Sequence, residues 1–343
     1  MARAVQPSVT AHPFFPAEAA WSVPLAGTLS AAPGFGASHG FFPLDNERLD
    51  AYDLTSVQRI WSVPLAATTR PAVGDDLVFV ARADAVLALR QGDGSIAWQR
   101  PLKERLAAPI VWDYGWLVTV SESGIVVTRR AVDGHVLWEQ SLDSPASAPP
   151  ALASDRVYVP TVDDRIVALQ VETGRPIWAR SLTGTAQTIV ARDDRVYVGA
   201  DDNFLYCLRS GDGQVDWRWR TGGDIVGVPH VDDGRLYFAS LDNVLRGLDR
   251  RSGAQRWLRP LPLRPNGGPA RAADTLIVSG LSPALHAYAL RDGAPRGQME
   301  APGELAAPPH VLEADGRVTL VVLTRDLSRG TVMTALRPQA EAP

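Results

Sequence analysis

The chain has one cysteine, Cys207, in 343 residues. No disulfide can form within it, and no cysteine cluster can hold zinc. Cys207 stands in FLYCLRS where other copies of the same pattern carry Ala88 or Ala168, so it reads as a small buried strand residue. Lysine is almost missing: Lys103 is the only one, and Arg supplies the remaining positive charge. The net charge of −4 speaks against a nucleic-acid binder. No apolar run reaches the roughly 18 residues of a spanning helix. The start, Met1 to Pro16, lacks the apolar stretch of an export signal. There is no H-E-x-x-H, no P-loop and no paired-cysteine motif, which removes the usual zinc-hydrolase and phosphate-cradle readings.

What is present is a repeat. Trp98, Trp138, Trp178, Trp217 and Trp257 each follow a glycine by four positions (Gly94, Gly134, Gly174, Gly213 and Gly253), and the tryptophans are spaced by 40, 40, 39 and 40 residues. Two copies are degenerate. Trp61 closes a unit in which Val57 holds the glycine position, and a later unit keeps Gly293 but has Gly297 in place of the tryptophan. A fixed period near 40 with strand-rich units indicates stacked supersecondary units.

Each unit spells four short strands. After Trp138 come WEQSL, the small-residue PPALAS, the alternating RVYVPTV and RIVALQV, then the turn Thr173-Gly174. Four-stranded antiparallel units repeated radially are propeller blades, so the fold class is all-β. Units ending at Trp61, Trp98, Trp138, Trp178, Trp217, Trp257 and Gly297 make seven. An eighth begins after Gly297 but lacks its last strand. The segment Trp21 to Leu25, identical to Trp61 to Leu65, is the unclaimed strand at the other end. An eight-bladed ring closed by this N-terminal strand leaves no open sheet edge. Seven blades is the alternative if the glycine-rich stretch within Ala26 to Arg59 is not a blade. The expected organisation is an N-terminal arm over 1–18, a single propeller domain over 19–339 and a frayed tail over 340–343.

The pattern Ala-x-Asp-x-x-Thr-Gly-x-x-x-Trp, clearest in AYDLTSVQRIW (Ala51 to Trp61) and ALQVETGRPIW (Ala168 to Trp178), resembles the repeat of the pyrroloquinoline-quinone (PQQ) propeller family. In that family the tryptophan rings dock between neighbouring blades over the glycine turn. The resemblance therefore implies a structural, blade-docking role for Trp61, Trp98, Trp138, Trp178, Trp217 and Trp257 with Gly94, Gly134, Gly174, Gly213 and Gly253. The family holds quinoprotein dehydrogenases and non-enzymatic scaffolds of the BamB type, which serve outer-membrane protein assembly. The compact units leave no room for the insertions of the dehydrogenases, and the adjacent cysteine pair beside their quinone is missing. The resemblance thus implies a scaffold, without cofactor, that mediates protein–protein interaction. It implies a periplasmic or cell-envelope location, although no signal peptide or lipid-bearing cysteine is present in this sequence; without export the location is cytoplasmic. The alternative is a PQQ-binding protein, either a small oxidoreductase or a sensor. The expected partner is another protein docking on one propeller face of a monomer, with neither nucleic acid nor a membrane span.

Functional positions belong where the copies differ. His230 and His310 both follow proline, 13 residues after a unit boundary, on the expected innermost strands of blades six and eight. Small residues (Gly34, Gly74, Ala151, Ala270) are expected at the equivalent places, so the two histidines could face the central channel and bind an anion or a metal. Acidic turns recur between second and third strands: Asp163-Asp164, Asp201-Asp202 and Asp242-Asn243. They read first as turn chemistry, and as a candidate acidic rim for a basic partner. Asp193-Asp194 and Asp232-Asp233 fall in the earlier turn of their units. Trp112, Trp116 and Trp219 lie outside the register and either fill blade interfaces or stand exposed as a contact patch.

Overall fold

In a computed structural model, residues 14–314, 316–326 and 328–339 are described. Among them the chain forms eight antiparallel sheets arranged as an eight-bladed β-propeller. Blade four shows the plan. Its strands Ala151–Ala153, Arg156–Pro160, Arg165–Gln170 and Pro176–Ser181 pair in sequence order from axis to rim. Its inner strand, three residues long, is the shortest of the four. The second and third are buried on both faces between neighbouring blades, which is why they read as nearly continuous Val, Ile, Leu and Tyr.

Blade one, with strands Gly34–Phe35, His39–Leu44, Arg48–Asp53 and Gln58–Pro64, is a true blade despite its glycines, which removes the seven-blade alternative. Blade eight takes its outer strand from the other end of the chain. Ala17–Pro24 pairs with Gly330–Pro338, with Trp21 opposite Ala335. The N-terminal strand therefore closes the ring, and the last sheet has no open outer edge of its own.

The core is distributed over the blade interfaces. Val118, Val126 and Trp138 of blade three pack with Val157, Val159 and Leu169 of blade four, and similar clusters recur around the ring. One register feature recurs with it. Each docking tryptophan lies opposite a small residue of the third strand: Ala51, Ala88, Thr128, Ala168, Cys207 and Gly247 face Trp61, Trp98, Trp138, Trp178, Trp217 and Trp257. A bulge follows immediately in every case. The extra residue increases the local twist and turns the large ring toward the next blade.

Residues 1–13 of the expected arm and the tail 340–343 lie outside the described residues. Phe14 and Phe15, also within the expected arm, are buried between blades seven and eight beside Ile277, Leu285, Leu320 and Val322.

Candidate functional site

The repeated residues are engaged in joints between blades. Trp61 Nε1 donates to the carbonyl of Gln91 at 2.7 Å, Trp98 to Ala131 at 2.9 Å, Trp138 to Val171 at 2.7 Å, Trp178 to Ser210 at 2.8 Å and Trp257 to Leu290 at 3.1 Å. Each ring covers the glycine of the following unit. A Cβ on Gly94 would stand 2.7 Å from the Trp61 ring, and one on Gly134, 2.7 Å from Trp98. Gly174, Gly213 and Gly253 receive Trp138, Trp178 and Trp217 in the same way, all with positive φ. The glycine four residues before a tryptophan in sequence is thus the floor for the previous blade's ring. Trp217 differs: its Nε1 is buried without a partner among the described residues, and Tyr197 OH donates at 3.0 Å to Arg250 O, the carbonyl its siblings would use.

The register of the innermost strands places one residue of each blade at the same level: Gly34, Ala72, Val111, Ala151, Val190, His230, Ala270 and His310. In blade two the equivalent residue is Ala72 rather than Gly74, which lies in the following turn. Both histidines are on innermost strands, with blade seven between them. His310 stacks flat on Phe35 of blade one, centroids 4.0 Å apart and planes 5° apart. Burial pushes its imidazole down to about 4, so the ring is neutral at pH 7. His230 lies over Tyr237 of its own blade, 6.1 Å between centroids. Burial, with Arg271 nearby, lowers its pKa as well. Its Nε2 is buried and unpartnered among the described residues.

The structure therefore uses the two histidines as separate ring contacts. Among the described residues no group of three or more His, Cys, Asp or Glu is placed to hold a metal. The axis does contain a cavity of about 320 Å³ across blades eight, one, two and three, lined by Phe35, Arg70, Trp112 and His310 among others. Arg70 has no carboxylate partner among the described residues. A quinone held with a Ca²⁺ ion requires oxygen ligands around the metal. This lining presents one guanidinium, aromatic rings and no carboxylate, and does not fit that pair.

The acidic turns fasten loops. Asp201 accepts from the Thr185 amide at 2.8 Å, while Asp202 accepts from Phe204 N at 3.1 Å and from the hydroxyls of Thr183 and Tyr206. Asp164 accepts from Thr185 Oγ1 at 2.5 Å, and Asp163 pairs with Arg165 at 2.6 Å. Asp242 accepts from Arg246, Ser240 and the Gly222 amide. Against the opposing effect of burial, these bonds hold its carboxyl at about 2. The three turns share one face of the ring, and their oxygens are largely occupied.

Among the extra tryptophans, Trp112 covers Gly74 and lines the axial cavity. Trp219 packs at the rim of the cluster around Phe238. Tyr114, in the turn between the inner strands of blade three, is the exposed aromatic instead, at 90% exposure and φ 44°. Val132, in the other turn on the same face of that blade, is 70% exposed, and the Ala131 amide beside it donates to Gly115 O at 2.8 Å. Gly36-Ala37-Ser38-His39-Gly40 also has the spelling G-x-S-x-G. It lies in a turn between two strands, without the strand-to-helix context of a nucleophile elbow, and His39 Nδ1 is engaged with Gln91 Oε1 at 3.1 Å.

The family model of outer membrane protein assembly factor BamB matches this chain over residues 45–113, 84–191 and 180–309, and the chain belongs to that family. The outer membrane protein assembly factor BamB of Yersinia pestis is 27% identical over 145 residues, 37% of this chain and 37% of that protein, so the matched stretch spans well under half of the relative. The crystal structure of BamB from Moraxella catarrhalis superposes with a TM-score of 0.74 at 16% identity, covering 94% of this chain and 99% of that one. The quinohemoprotein alcohol dehydrogenase of Comamonas testosteroni superposes equally well, TM-score 0.74 at 14% identity, covering 95% of this chain and 77% of that one. At such identities these two structures share the fold, which hosts unrelated functions.

Proposed function

We propose that this member of the BamB family is a non-enzymatic propeller scaffold of the cell envelope, docking through one face onto another protein of outer-membrane protein assembly. The observation that carries the reading is the division of labour among its residues. The repeated tryptophans and glycines are enclosed in blade joints, whereas Tyr114 and Val132 stand out side by side on one face of blade three. A tyrosine projected from a turn, with an apolar neighbour, is the kind of anchor that dominates protein interfaces.

The experiment is site-specific photo-crosslinking in envelope preparations from the native host, with the probe at Tyr114 and, as a control on the opposite face, at Leu281. An adduct to a β-barrel assembly component from position 114 alone is expected. Titration of PQQ with and without Ca²⁺ is the competing arm. Saturable micromolar binding with reduction of a redox dye would replace the scaffold by the quinone-dependent reading.

A further inference from the structure

The residue that follows the small residue opposite each docking tryptophan is apolar and buried in seven blades: Tyr52, Leu89, Leu169, Leu208, Leu248, Tyr288 and Leu336. Blade three has Arg129 there, at 6% exposure. One strand inward, Thr119 occupies the row that holds Phe42, Val80, Val159, Val198, Phe238, Val278 and Val322 elsewhere. A guanidinium has therefore been placed in the apolar face that blade three turns toward blade two.

That guanidinium is poorly satisfied. Arg129 Nη1 makes one long contact with Gly134 O at 3.4 Å, and Nε is buried with no partner among the described residues. Glu139, the carboxylate whose charge bears on Arg129, is held at 2.8 Å by Lys103, the only lysine of the chain. Arg100, the other neighbouring charge, is itself cationic and turns to the carbonyl of Asp133 at 2.6 Å. A buried charge without a counter-ion is costly, and one neutralised by a ligand is not.

A cavity of about 330 Å³ opens beside Arg129 between the two blades. Its walls are mainly apolar, including Leu102, Leu106, Ile125, Val127 and Val136, with the hydroxyls of Thr119 and Ser121 and the charged Arg100, Lys103, Glu104 and Glu139 completing the lining. The volume is at the lower end for small-molecule sites. The chemistry is that of an apolar sleeve with a cationic floor. We infer that this interblade cavity binds a small amphiphilic carboxylate, whose head pairs with Arg129 and whose hydrocarbon body fills the sleeve. The inference does not depend on the docking reading.

The test is calorimetric titration of the full chain with octanoate, with octanol and octylammonium as matched probes lacking the anion. A saturable one-site isotherm is expected for octanoate, and binding at least about tenfold weaker for the other two, as befits one lost charge-assisted bond. Arg129→Leu installs the residue that five other blades carry. It should abolish octanoate binding while raising the melting temperature. Val127→Trp fills the sleeve with Arg129 intact and should block binding as well, which covers the case of a Leu variant that does not fold. Absence of saturable octanoate binding at millimolar concentration, or unchanged affinity in either variant, overturns the proposal and leaves Arg129 as a hydrated core charge.

Discussion

Trp138 rests on Gly174, a residue of the next blade. A Cβ at Gly174 would come within 2.5 Å of the indole, and φ there is +71°. No other residue fits the contact without displacing the ring. The same relation joins five further tryptophans to the glycine turns that follow them, so one ring-on-glycine contact recurs around most of the ring.

Removing one ring empties a joint. Trp178→Ala is expected to cost about 3–5 kcal/mol, read from urea unfolding. An unchanged unfolding midpoint would contradict a structural role for that tryptophan.

The joints differ in hydrogen bonding, and the difference is measurable. Trp138 donates to Val171 O at 2.7 Å, whereas Trp217 Nε1 has no partner among the described residues. Trp138→Phe should therefore destabilise by about 1 kcal/mol more than Trp217→Phe. Equal losses would mean that the indole N–H contributes nothing to the joint.

The seventh unit has Gly297 where a tryptophan is due, and Phe15 lies there, its Cβ 3.1 Å from the Cβ position of Gly297. Phe14 meets it edge-on, centroids 5.4 Å apart. The N-terminal segment thus supplies both the closing strand and the missing ring. Phe15→Ala should cost about 3 kcal/mol or more. Deletion of residues 1–25 should expose the strand Gly330–Pro338 and drive aggregation. A soluble, equally stable truncation would refute this closure.

Val57 occupies the glycine position of blade one with φ 63°, an unfavourable conformation for a β-branched residue. Val57→Gly should relieve about 1–2 kcal/mol of strain, partly offset by roughly 0.5–1 kcal/mol of backbone entropy. The expected outcome is a small rise in melting temperature; a fall would show that the valine side chain contributes more than its strain costs.

His310 links stability to acid. Its folded pKa of about 4 lies below the ordinary histidine value, so between the two the unfolded chain binds more protons. Stability should fall as pH drops from about 6.5 toward 4, by at most about 3 kcal/mol from this group. His310→Phe keeps a ring against Phe35 and removes the titration. Its stability–pH curve should be flatter than that of the wild type, and parallel curves would assign the slope to other groups.

The ring was legible in the sequence because its information is local and repeated. Each unit states its own strands, its turn glycine and its tryptophan, and Trp21 to Leu25 repeats Trp61 to Leu65 closely enough to be recognised as the missing outer strand. The acidic turns were readable as turns for the same reason. Their partners were not: Asp164 and Asp201 both reach the loop around Thr185, a contact made across a turn rather than along a strand.

Sequence alone therefore determined the period, the four-stranded unit and the residue types at the repeated tryptophan–glycine joints, since these follow from short-range alternation and turn chemistry. Tertiary structure decided which copies touch. It set each tryptophan on the following unit's glycine and filled the gap at Gly297 with Phe15. It kept His230 and His310 apart, and it left Arg129 facing an apolar cavity while Lys103 engages Glu139. Those outcomes depend on how neighbouring sheets face one another around an axis. That geometry arises only when eight similar units close on themselves, and a single unit's residues do not encode it.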